Sequence, residues 1–258
     1  MHTKLIRIKD GFIKNSESVK ELMNFDRIIL DFSISKLDEL NVKLKALDIN
    51  NPQLLVDFTL QALRGIREHD SLRQKYESIY NQCLVLLVSH YTLTMEDIFK
   101  CGVNILISEN KFKMNNSDDS IKISISELRS LNFDLSGNFG ELLLNKKDIS
   151  FQDMQSLNRA YSQYLDISLP IDKNLNNIIF AQAARHSIVH SSAHADDKFI
   201  NQIRNLNPRD LKVSIKKKDV INMTPEEILI IDESMRETLD YCINQIKAAT
   251  NTTQSTPT

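Results

Sequence analysis

The sequence predicts a mainly α-helical protein folded as an antiparallel helical bundle. It holds only five glycines and five prolines in 258 residues, far less punctuation than a strand-and-turn protein needs. Long stretches are rich in Leu, Ile, Lys, Glu and Asn, and apolar residues return every three or four positions along most of the chain. Hydrophobic residues make up 41% and charged residues 26%, which is ordinary for a globular chain and allows a sizeable core.

In chain order, residues 1–25 alternate weakly (Leu5, Ile6, Ile8, Phe12, Ile13) before turning polar, and are expected to form an arm or short strand. The main helical domain then spans 26–248. Leu30, Ile34, Leu37, Leu40, Leu44 and Leu47 form one amphipathic stripe that ends near Asn50-Asn51-Pro52. Pro52 is placed to open a second helix carrying Leu55, Phe58, Ala62 and Ile66 on one side, antiparallel to the first. Leu72, Tyr76, Ile79, Cys83 and Leu87 continue the period, and the apolar run 83–88 marks a central helix buried on more than one face. Thr94-Met95-Glu96-Asp97 reads equally as a cap for a new helix or as part of a continuation.

Between about 110 and 150 the composition changes. Residues 115–120 read as a loop and Ile121–Ile125 alternates with a period of two, which predicts a small insertion of loop and strand character. Ser150–Asp153 resembles a capping box for a helix bearing Met154, Leu157, Tyr161, Tyr164 and Leu165. A further helix is expected from near Asp172 through Leu175, Ile178, Ala181 and Ile188. Phe199–Leu206 suits a short helix, and Leu211–Ile215 alternates like a strand. Thr224-Pro225-Glu226-Glu227 is a strong helix start, and Ile228, Ile231, Met235, Leu239, Cys242 and Ile246 follow at steps of three and four. The Thr/Asn/Ser/Pro-rich tail, 249–258, has nothing to bury and is expected to be disordered.

Formal charge is −2, so no global basic field draws this chain to nucleic acid, and any such contact needs a local patch. The longest apolar run is too short to span a bilayer and the amino terminus lacks a secretory core, so a cytoplasmic protein with no membrane association is expected. Cys83, Cys101 and Cys242 are odd in number and far apart, which favours buried free thiols over disulfides.

The chemical signal lies in Ala184-Arg185-His186-Ser187-Ile188-Val189-His190, where an arginine and a histidine stand five positions apart in an otherwise apolar helix. Polar groups entering an apolar layer need partners or a function. Arginine offers a permanent cation with a forked donor set that fits phosphate, and histidine exchanges a proton near neutral pH. Together with Asp196, Asp197, Lys198 and Phe199, the run resembles the signature helix of the HEPN superfamily, and specifically members associated with bacterial defence and abortive infection. The fold-level resemblance extends over about 28–247, and its specific part over about 185–199.

That resemblance implies a helical-bundle homodimer acting as a metal-independent endoribonuclease, without cofactor, in a toxin or antiviral role. It also admits a regulatory or antitoxin protein as partner. His190 would move the proton, Arg185 would stabilise charge on the phosphoryl oxygens, and His186, at the family's polar position, would orient the phosphate or its histidine partner, with a purely structural role as the alternative. Related families often carry an acidic residue on an earlier helix, and Glu96 is the matching candidate. On a straight helix five residues rotate the side chain by about 140°, so one copy makes an imperfect site and two copies across a dyad make a better one.

Plainer accounts exist for each feature. The histidine and arginine alone suit a core helix with a structural ion pair, and the family resemblance is what tilts the reading toward catalysis. His186, His190 and His194 also stand at four-residue steps, spacing that suits a divalent metal. Lys198, Arg204, Arg209, Lys212, Lys216, Lys217 and Lys218 form a basic stretch that would track an RNA backbone or else be a solvated loop. A non-catalytic HEPN adaptor binding a partner protein or nucleotide through its dimer face is the alternative function.

Overall fold

A computed structural model describes residues 2–46, 56–69, 77–112 and 121–251, apart from 134, 136, 148 and 213. Among the described residues there are ten α-helices and no strand. They are α1 (His2–Met23), α2 (Phe25–Ala46), α3 (Val56–His69), α4 (Glu77–Ser108), α5 (Ile125–Ser130), α6 (Phe139–Lys147), α7 (Met154–Leu165), α8 (Lys173–His190), α9 (Asp197–Ile203) and α10 (Pro225–Asn251).

Four helices, α1, α4, α8 and α10, form the core bundle, with α4 and α10 each touching the other three. Contacts fix the directions. Phe12 meets Tyr91 while the Cys83 thiol reaches the Val19 carbonyl, so α1 runs antiparallel to α4. Lys9 pairs with Asp240 and Ser16 with Asp232, so α1 is also antiparallel to α10. The smaller α6 and α7 lie on α4, and α9 lies on α8.

The arm expected over 1–25 is instead the first bundle helix. Leu5, Phe12, Ser16, Val19 and Met23 are buried at steps that keep one helical face inward. Ser16 occupies a core position because its hydroxyl donates to the buried Asp232 carboxylate at 2.6 Å, which obscured the apolar period. Lys20 and Arg236, each 2.9 Å from Asp232, supply the compensating charge that burial of a carboxylate requires.

Helix α2 covers the expected stripe, yet buries none of its residues fully. A single residue, Asn24, separates it from α1, so α2 leads away from the bundle and folds back only as a hairpin with α3. Arg67 to Asp31 and Arg64 to Asp38, both 2.7 Å, show the predicted antiparallel pairing. The face of α3 differs from expectation: Leu60 is buried and Phe58 is exposed, because α2 rather than the bundle is the surface available to it. Leu47, Leu55, Leu72 and Tyr76 lie outside the described residues.

Helix α4 runs unbroken through Thr94. The Thr94 hydroxyl donates to the His90 carbonyl at 2.7 Å, four residues back, and so does not cap a new helix. The expected strand at Ile121–Ile125 is also absent. Ser124 and Glu127 form a reciprocal capping box, so the alternation ends in the start of α5. The 110–150 stretch is part of the core as well as a connection, since Leu143 is fully buried and Gly140 packs directly on the α4 backbone. The predicted loop 115–120 lies outside the described residues.

Asp153, not Ser150, caps α7, accepting from the Ser156 N–H at 2.8 Å. Asp172 caps α8 and the Thr224/Glu227 box opens α10, both as predicted. The described residues of the 211–215 stretch make no strand, because Arg209 gathers the Ile203, Leu211 and Lys212 carbonyls into a compact turn. Helix α10 extends to Asn251, into the predicted tail, and the remainder of that tail is outside the described residues. The three cysteines are free and buried, and burial pushes the Cys83 thiol up to about 11 and that of Cys242 up to about 12. No described helix is long and apolar enough to cross a membrane.

Candidate functional site

The motif occupies the last two turns of α8. Ala181, Ala183, Ala184 and Ser187 face the core, which turns Arg185 and His186 to the half-buried edge and leaves His190 exposed at the last helical residue. His186 and His190, four apart, share a face with ring centroids 4.8 Å apart. Arg185 projects elsewhere, as its five-residue separation from His190 requires.

Arg185 and His186 line a polar cleft of about 510 Å³. Helix α8 forms its floor through Ile179, Gln182 and Ala183, the first turns of α7 form one wall, and Lys198 and Gln202 of α9 form the other. Three features of the chain build this arrangement. Asp153 caps α7 and holds its amino-terminal turn open toward the cleft. Gln182 Oε1 accepts from the Met154 N–H at 3.0 Å, tying α7 to α8. Asp196 accepts from the Phe199 N–H at 2.8 Å and from the Ser191 hydroxyl at 3.0 Å, fixing the start of α9 against the end of α8.

The last of these contacts sets Lys198 Nζ 3.3 Å from His186 Nε2. Partial burial, then the positive charge of Lys198 and His190, lower the His186 pKa below its usual 6.5, with Asp196 opposing. The donated bonds from Phe199 and Ser191 hold the Asp196 carboxyl below the usual carboxylate range. Arg185 Nε is buried without a hydrogen-bond partner, as is Gln182 Nε2. Among the described residues no carboxylate forms an ion pair with Arg159, Arg185 or Lys198.

Of the residues singled out by sequence, Arg185, His186 and Lys198 are together in the cleft, and His190 adjoins it through His186. Glu96 is elsewhere. Its carboxylate lies 3.1 Å from Lys100, which also meets Asp97 and Glu141 at the α4–α6 contact, and this carboxylate group holds the Lys100 pKa up despite the opposing effect of burial.

The basic stretch divides. Arg209 is committed to three backbone carbonyls and lies over the Phe180 ring, and Lys212 pairs with Glu227 at 3.2 Å; both shape the turn. Lys217 pairs with Asp197 at 2.7 Å, while Arg204, Lys216 and Lys218 are exposed. His194 falls beyond the end of α8, where Ser192 and Ala193 take left-handed backbone angles, and its ring meets the Ser192 carbonyl. Among the described residues no group of His, Cys, Asp or Glu is arranged to hold a metal.

Sequence reasoning missed Arg159, Gln155 and Gln182. Arg159 follows Asp153 at a spacing that sets both near the start of α7, a signal visible only once the α7–α8 contact is known. No family model, no curated protein and no solved structure matches this chain.

Proposed function

We propose that the protein is a metal-independent endoribonuclease of bacterial defence or toxin type, working as a homodimer. The observation that carries this reading is the grouping of an arginine, paired by no described carboxylate, with two adjacent histidines at the rim of a polar cleft. The RNA 2′-hydroxyl attacks the adjacent phosphorus, forming the O2′–P bond and breaking the P–O5′ bond. His190 takes the 2′-proton or delivers one to the departing 5′-oxygen, with water making the other transfer, and Arg185 stabilises charge on the phosphoryl oxygens. His186, held neutral near pH 7 by its lowered pKa, orients the phosphate by hydrogen bonding.

Arg185 and His190 diverge within one protomer, which supports a site completed across a dyad. Val189, 49% exposed beside His190, offers an apolar surface for that contact. The test is end chemistry: cleaved RNA should carry 2′,3′-cyclic phosphate and 5′-hydroxyl ends, with chelator present and DNA uncut. Products with 5′-phosphate ends would contradict the mechanism.

A second reading, a non-catalytic adaptor for a partner protein, draws support from the α2–α3 hairpin. Phe25, Ile28, Ile29 and Phe32 are 47–61% exposed along α2, a contiguous apolar stripe of the kind that marks protein contacts. An inert protein that co-purifies with one partner stoichiometrically would favour it.

A further inference from the structure

The cleft contains more positive charge than cleavage at one phosphate uses. Arg159 on the α7 wall, Arg185 on the α8 floor and Lys198 on the α9 wall come from three different helices and converge on one space. No described carboxylate pairs with any of them. The one acid in the lining, Asp153, accepts from both the Ser156 N–H and the Ser156 hydroxyl, so it serves α7 rather than the arginines. Three cations against the single lining carboxylate of Asp153 leave the cleft net positive, and the arrangement is relieved by an anion.

The neutral residues narrow the anion further. Four glutamines, Gln152, Gln155, Gln182 and Gln202, line the same cleft, and its one ring is the His186 imidazole, with no Phe, Tyr or Trp in the lining. Because Gln182 Oε1 is occupied by the Met154 N–H, its amide is fixed with Nε2 as a donor that has no protein partner. A site of about 510 Å³ falls within the roughly 300–1,000 Å³ typical of small-ligand clefts. Cations with amide donors and a single imidazole beside them suit a sugar-phosphate backbone more than a base.

We infer that this cleft is a backbone-binding subsite for single-stranded nucleic acid, in which Arg159 holds a phosphate next to the scissile one. Lys198 on the opposite wall closes over the strand. The inference rests on the ribonuclease reading for the identity of the strand, but not for the existence of the subsite. Arg159 is a binding residue here and makes no claim on the proton transfers.

The test uses a strand that cannot be cut. A short fluorescein-labelled oligodeoxythymidine is titrated into the full-length protein at several salt concentrations, for wild type, Arg159→Gln and, as a surface-charge control, Lys36→Ala on α2. Losing one phosphate contact should make the slope of log K against log salt shallower by about 0.7 for single strands. Arg159→Gln should weaken binding about tenfold, the scale of one charge-assisted hydrogen bond, while Lys36→Ala should match wild type. Arg159 is exposed, and circular dichroism confirms that the variant folds. Equal affinity and slope for Arg159→Gln and wild type, or no binding by wild type, would overturn the subsite. If wild type binds the oligodeoxythymidine with the expected slope yet cuts no RNA, the ribonuclease reading falls and the subsite stands.

Discussion

Lys198 Nζ lies 3.3 Å from His186 Nε2, which places a cation from α9 against the imidazole whose ring lies 4.8 Å from that of His190. Such a neighbour disfavours protonation of His186, adding to the effect of partial burial. Proton NMR should show His186 titrating below 6.5, and Lys198→Ala should move its midpoint upward. An unchanged midpoint would mean that Lys198 points to solvent.

The same shift has a sign in stability. Above 6.5 His186 is neutral in both the folded and unfolded chain and contributes nothing. As pH falls below that value the unfolded chain takes up a proton first, so folding weakens until the folded-state pKa is passed. His186→Gln should therefore flatten the acid side of a stability-against-pH curve, read by urea denaturation.

Asp232 is 3% exposed and binds Ser16, Lys20 and Arg236, locking α1 to α10. Asp232→Ala removes the acceptor of the buried Ser16 hydroxyl and leaves Lys20 and Arg236 paired with Glu17, and should cost on the order of 1–3 kcal/mol. A loss below about 1 kcal/mol, the scale of a surface pair, would show that α1 is not a member of the bundle.

A Cβ added at Gly140 would lie 2.4 Å from the Lys100 carbonyl oxygen and 2.7 Å from Lys100 Cα. Backbone cannot yield as a side-chain tip does, so Gly140→Ala should separate α6 from α4 at a cost of about 1–3 kcal/mol. Gly11→Ala, with nothing within 4 Å of the added carbon, serves as the control and should not destabilise.

Legibility followed the period of the apolar residues. Helices α4, α7 and α10 announce themselves because large apolar residues recur among their buried positions at steps of three and four, and α8 does so through Leu175, Ile178 and Ala181, with Asp172 and Thr224 as caps. Helix α1 was hidden by Ser16, a polar residue in a core position whose partner is more than 200 residues away. The false strand at Ile121–Ile125 arose because a capping box can interrupt an alternating run without changing its composition. At the site, Arg185, His186 and Lys198 could be read from one local stretch, whereas Arg159 could not, since α7 meets α8 only through tertiary contact. Arg209 and Lys212 looked like part of an RNA track because a carbonyl-bound or paired cation and a free one are the same letter in a sequence.

Within a dimer the two-fold arrangement makes a separate demand. Mixed dimers carrying one wild-type and one His190→Ala protomer should retain well below half of wild-type cleavage if each site draws residues from both chains. Activity at half would show that each protomer works alone.

The most direct test is RNA cleavage by purified wild type, Arg185→Ala, His190→Ala and the double variant, in the presence of chelator, with helix content and oligomer mass checked in parallel. Arg185→Ala and His190→Ala should each lose on the order of 10²–10³ in rate, and the double variant should fall little further because the two act as a unit. Wild-type rates in the double variant would contradict the ribonuclease account.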